Sequence, residues 1–171
     1  MSLDNNIPLW LLALSYWVHL IATVTWLGGL LMMAFVAWPA VRNQVMDAGQ
    51  WSELLRRLTP WANISLILLW ITGFLQMSAN PDYEGFLAIN SLWAQAILVK
   101  HIAVAGMMVF GLYAQWRLHP ALARLALLEQ KKPALAEAEL DRLTKREGQL
   151  LRLNLACALL VLLFTAIATA A

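Results

Sequence analysis

LWAQAILVKHIAVAGMMVFGLYAQW, residues 92–116, runs for 25 residues with one charged side chain, Lys100. A helix crosses the hydrocarbon core of a bilayer with roughly 20 apolar residues, so this stretch reads as a transmembrane helix. Three further segments share its character, at 9–38, 61–78 and 150–170. Across the chain 61% of residues are hydrophobic and 13% charged, about half the charge of an ordinary soluble domain. The expected fold is therefore all-α. It is an integral membrane four-helix bundle, one membrane domain over 1–171, with the lipid bilayer as its main partner.

Basic residues stay on the cytoplasmic side of a membrane. Arg42, Arg56 and Arg57 separate spans one and two, and eight more Lys or Arg lie between Arg117 and Arg152. The remaining polar ends, with Asp4 and with Asp82 and Glu84 in NPDYEG, hold none. Both termini are thus expected on the non-cytoplasmic side, and the net charge of +2 is explained by topology without a nucleic-acid partner. MSLDNNIP lacks the basic n-region of a signal peptide, so the first span is expected to remain. The single cysteine, Cys157, excludes an intrachain disulfide.

Trp10, Trp93 and Tyr83 would mark the outer interface and Trp38, Trp51, Trp61 and Trp116 the inner one. Trp17, Trp26 and Trp70 fall deeper and read as packing residues. Between spans three and four, residues 117–149 keep apolar residues at helical spacing, with Asp141 four before Lys145. They predict a cytoplasmic helical hairpin broken by Pro133. His119, just past the inner end of span three, is expected to be structural.

Two histidines lie well inside spans. His19 is nine residues beyond Trp10 and His101 eight beyond Trp93, which puts both about 12 to 14 Å deep. Imidazoles at one depth on two parallel helices are candidate ligands of a single copper or iron. The plain alternative is that each donates a hydrogen bond and does nothing more. Lys100 adjoins His101, and an ionisable residue within a span is a functional candidate by default. No Asp or Glu within the spans neutralises it, so it either snorkels outward or meets an anionic ligand. Of the methionines, Met77 stands at the same end as the histidines, and a thioether favours Cu(I). Gly28, Gly29, Gly73 and Gly106 allow close helix contact.

HLIATVTWLGGL, from His19 through Trp26, resembles the first helix of the copper resistance protein D (CopD) family. LVKHIAVAGMMVFGLYAQWRLHPALAR is similar to that family's third helix and its basic, proline-containing end, and KREGQLLRLNLACALLVLLFTAIATA to its closing helix. The resemblance implies copper uptake or tolerance at the bacterial inner membrane. Four helices leave a narrow path, so transport would require a homo-oligomer or a larger membrane complex. The same His-six-Trp opening also looks like the HemJ-type protoporphyrinogen oxidases. That likeness implies haem b, with His19 as a haem ligand and Lys100 or Arg42 meeting porphyrin carboxylates.

The resulting expectation is a metal site in the outer half of the bundle. His19, His101 and Met77 are its donors, Trp26 forms a wall, and Lys100 tunes the charge. The alternatives are a haem b oxidoreductase with His19 and His101 as axial candidates, and an accessory subunit whose histidines are merely packed.

Overall fold

A computed structural model describes residues 8–81, 83, 85, 89–129 and 133–170, and they form an all-helical chain. Asp4, Asp82 and Glu84 lie outside the described residues. Helix α1, Leu9–Met32, widens into a π-helical turn at Met33–Ala37 and continues as α2, Trp38–Arg42. Helix α3 spans Ala48–Ser78 and α4 Leu92–Tyr113. A second π turn, Ala114–Leu118, leads into α5, His119–Glu129, and α6 spans Pro133–Ala170. Each π turn ends two residues before a proline, Pro39 or Pro120. A proline ring clashes with the carbonyl four residues back, and a widened turn in the preceding stretch gives that carbonyl room.

The second span was expected to begin after Pro60, but α3 starts thirteen residues earlier. Asp47 accepts a hydrogen bond from Gln50 N at 2.7 Å, and the Gln50 side chain accepts one from Asp47 N at 3.2 Å. This reciprocal capping box fixes the helix start. Pro60 then sits inside the helix and forfeits one backbone bond without ending it. Helix α6 likewise starts well before the apolar run at 150, with Pro133 in the first turn, where its missing N–H is not needed. Lys145 meets Asp141 at 2.6 Å, the spacing-four pair expected from sequence.

At 38 residues, α6 is about 57 Å long, nearly twice the roughly 30 Å hydrocarbon core. The surplus lengths gather at the end of the bundle opposite the termini and bury Ala37, Trp51, Leu55, Leu118, Leu122 and Leu143 together. Trp51 was expected at the lipid interface. It is instead 2% exposed, and its Nε1 donates to Glu147 Oε2 at 2.6 Å. His119 Nε2 lies 3.6 Å from the other Glu147 oxygen, so His119 belongs to this packed end rather than to water.

Beside this core, the guanidinium groups of Arg42 and Arg152 each lie over the Trp38 ring, within 6 Å of its centroid. A Cβ at Gly148 would overlap the Trp38 indole. Gly148→Ala is therefore expected to destabilise the chain by about 1–3 kcal/mol through overpacking. Thermal unfolding in detergent checks this, and an unchanged midpoint would mean that the indole shifts freely.

Four helical stretches are long and apolar enough to cross a membrane: Leu9–Arg42, Gly49–Ser78, Leu92–Leu125 and Asp141–Ala170. Their outward side chains include Leu20, Val24, Phe35, Ile71, Ile102 and Val109. Such a continuous apolar belt suits lipid and would aggregate in water. Trp17, expected to pack inside, belongs to this belt at 62% exposed.

The helices associate as two pairs, α1 with α3 and α4 with α6. A reciprocal amide pair ties them together in mid-bundle. Asn63 donates to Gln115 at 3.1 Å and Gln115 donates back at 3.0 Å, joining α3 to the second π turn. Toward the termini the pairs part.

Candidate functional site

The parted end encloses a cavity of about 680 Å³, within the range of pockets that take small organic molecules. Helix α1 contributes His19, Thr23 and Trp26 to its lining, and Ser15 lies one turn before His19 on the same face, since spacings of four, four and three share a side of a helix. Ser15 and Thr72 are buried, and Ser15 Oγ donates to the Thr72 carbonyl at 3.4 Å. Gln76 Nε2 donates to Ser15 Oγ at the same distance. Polar groups in a membrane interior need internal partners, and this ladder fixes the register of α1 against α3.

The hydrogen bonds around His19 favour one tautomer. Thr72 Oγ1 donates its only proton to the Leu68 carbonyl at 2.6 Å. The same oxygen lies 2.7 Å from His19 Nδ1, and with its proton on the carbonyl it accepts there. Nδ1 carries the hydrogen and Nε2 the lone pair. The ring also lies at van der Waals distance from where a Gly73 side chain would begin.

His101 reaches the same state by a different route. Its Nδ1 is 2.7 Å from the Ile97 carbonyl, an acceptor only, so Nδ1 again donates and Nε2 again holds the lone pair. Trp70 and Phe74 flank the imidazole, each with its ring centroid 5.8 Å away. Trp70 Nε1 is in turn directed to Met108 Sδ at 3.0 Å. Both histidines thus stand against the 70–74 turn of α3, and both line the cavity. Donation from one ring nitrogen to a fixed acceptor is how proteins orient a metal-binding imidazole.

Of the remaining residues singled out from sequence, Lys100, Trp26 and Met77 line the same cavity. Met77 is buried against Trp93 and Ala94. Trp93, expected at the interface, is only 8% exposed for that reason. Arg42 is absent from the lining and stacks on Trp38 at the opposite end of the bundle. Among the described residues no group of three or more His, Cys, Asp or Glu comes together. The imidazole and thioether donors that line the cavity are those of His19, His101, Met77 and Met107.

Sequence reading missed Thr72, Ser15 and the aromatic pair Trp70 and Phe74 as parts of the site. One signal was available: Ser65, Thr72 and Gln76 recur at seven and four residues along a mostly apolar span, marking a face that avoids lipid.

A family model described as Copper resistance protein D matches residues 52–169, more than half of the chain. The chain belongs to the CopD family. With four membrane-crossing helices it is a multi-pass membrane protein related to copper resistance. The CopD match covers Thr72, Met77, Lys100 and His101 and begins after α1, so His19 and Trp26 enter the site on geometry alone. A search of curated proteins and a search of solved structures returned no match.

Proposed function

We propose that this CopD protein binds Cu(I) as cargo in the cavity between its helix pairs and serves copper uptake or tolerance. His19 and His101 supply nitrogen donors, Met77 a sulfur donor, and Trp26 part of the wall. The observation that carries this reading is that each Nδ1 meets an oxygen, Thr72 Oγ1 for His19 and the Ile97 carbonyl for His101, an arrangement that suits Nδ1–H donation and a lone pair on Nε2. The donor set favours the monovalent ion, because imidazole accepts copper and thioether is soft. Lys100 adds a positive charge whose repulsion is doubled for Cu(II). The basic residues between spans one and two and between spans three and four support an orientation with the cavity toward the non-cytoplasmic face of a bacterial inner membrane.

The test is an anaerobic titration of the purified chain with Cu(I) against a colorimetric chelator. A single Cu(I) per chain, bound through nitrogen and sulfur by X-ray absorption, is expected. No copper uptake sinks the reading, and a Soret band in the isolated protein replaces it with a haem. Thr72→Val removes the acceptor that orients His19 and is expected to weaken Cu(I) about 10- to 100-fold. An unchanged titration would show that His19 needs no such support.

A further inference from the structure

Arg42 closes α2 and Arg152 lies in α6, yet both guanidinium groups are over one indole, that of Trp38, at 5.8 and 5.7 Å from its centroid. A cation over an aromatic face is held there by the ring quadrupole. Arg152 is eighteen residues before the end of α6, about 27 Å along the axis, close to the roughly 30 Å thickness of the hydrocarbon core. The two cations therefore stand at headgroup level, at the end of the bundle opposite the termini. Other basic side chains at this end have their own counterions: Arg56 and Arg57 meet Glu53, Arg142 meets Glu139 and Lys145 meets Asp141. Among the described residues neither Arg42 nor Arg152 meets a carboxylate. The acids nearest to them in sequence are already engaged, Asp47 in the cap of α3 and Glu147 with Trp51. Arg152 commits only Nε, to the Gly148 carbonyl at 3.1 Å, and both arginines are exposed. Helix α6 packs beside α1 and the first π turn. Phe35, seven residues before Arg42, and Leu159, seven after Arg152, are exposed as well, so apolar surface continues from both charges toward the bilayer centre.

We infer that Arg42 and Arg152 hold the phosphate of an anionic phospholipid beside Trp38, with its acyl chains running past Phe35 and Leu159. The site is at the opposite end of the bundle from the cavity and does not depend on what the cavity binds. A guanidinium presents paired N–H groups that match phosphate oxygens, and basic groups brought together by neighbouring transmembrane helices are a recurrent way to hold such headgroups. A zwitterionic lipid carries its own cation, so two uncompensated arginines favour a headgroup of net negative charge. A soluble phosphate would leave the apolar surface below them unused.

In the experiment the full chain in mild detergent is titrated with dioleoylphosphatidylglycerol or dioleoylphosphatidylcholine, and bound lipid is counted by native mass spectrometry. The parent is expected to retain a phosphatidylglycerol at concentrations where phosphatidylcholine is lost. Arg42→Gln and Arg152→Gln are each expected to weaken it at least about fivefold, and Arg42→Lys and Arg152→Lys to hold it within about threefold of the parent. Arg57→Gln removes an exposed cation that is paired with Glu53 and should change it less than about twofold. Circular dichroism checks that each variant is folded, and if one glutamine variant is not, the other decides. No preference for phosphatidylglycerol in the parent, or unchanged binding in the folded glutamine variants, overturns the inference. An equal loss in Arg57→Gln also overturns it, because the attraction would then be diffuse. Displacement of the lipid by an equal concentration of glycerol 3-phosphate does the same, because the occupant would then be a soluble phosphate.

Discussion

His19→Ala and His101→Ala are each expected to lose at least about nine-tenths of the Cu(I) retained by the parent chain under chelator competition. The reason is the shortness of the donor list. A site with two imidazoles, and no group of three His, Cys, Asp or Glu among the described residues, falls to one imidazole when either ring is removed, and the thioethers of Met77 and Met107 on the lining do not replace it. The two losses should also be non-additive. A double variant that binds no less than either single variant is the mark of two groups holding one ion. Far-ultraviolet circular dichroism of each variant guards against simple unfolding. If His101→Ala keeps its copper while His19→Ala loses it, the shared site is wrong, and the flanking of His101 by Trp70 and Phe74 is packing.

Trp51→Ala is expected to have the largest effect on stability. Replacing a fully buried tryptophan with alanine costs about 3–5 kcal/mol. Here the change also strands a buried Glu147 oxygen, at about 1–3 kcal/mol. Trp51→Phe separates the two parts, since it keeps most of the ring and loses only the N–H. Its expected cost is about 1–3 kcal/mol, read as a lower unfolding midpoint in detergent. A phenylalanine variant as stable as the parent would mean that Glu147 finds another donor. Copper retention should change little in either variant that folds, because Trp51 lies at the opposite end of the bundle from the cavity.

The four spans were legible because lipid excludes charge, and a 25-residue run with one lysine has few other uses. The common depth of His19 and His101 was also legible, by counting from Trp10 and Trp93. Rotation about each helix axis was not. Trp17, Trp51 and Trp93 are alike as letters, yet one faces lipid, one anchors a core and one backs Met77. Hydropathy is nearly uniform around a transmembrane helix, so it carries little information on facing. The early start of α3 was written in Asp47 and Gln50, three apart, and was masked by the stronger punctuation of Pro60. The histidine tautomers depend on what Thr72 and Ile97 do with their own hydrogen-bonding groups. Thr72 is distant in sequence from His19, so only the assembled bundle pairs them.

The pairing of the helices makes the molecule resemble tongs. The grip is the packed end around Trp51 and Leu122, reinforced by the Asn63–Gln115 amides. The jaws are the α1–α3 and α4–α6 pairs, and near their tips Met77 packs with Trp93 and Ala94. In water, parting those tips would expose oil to solvent. In a bilayer the surroundings are as apolar as the side chains themselves, and only local van der Waals contact is lost. Separating the tips would therefore cost less in a bilayer than in water, and it would leave the backbone hydrogen bonds of every helix in place.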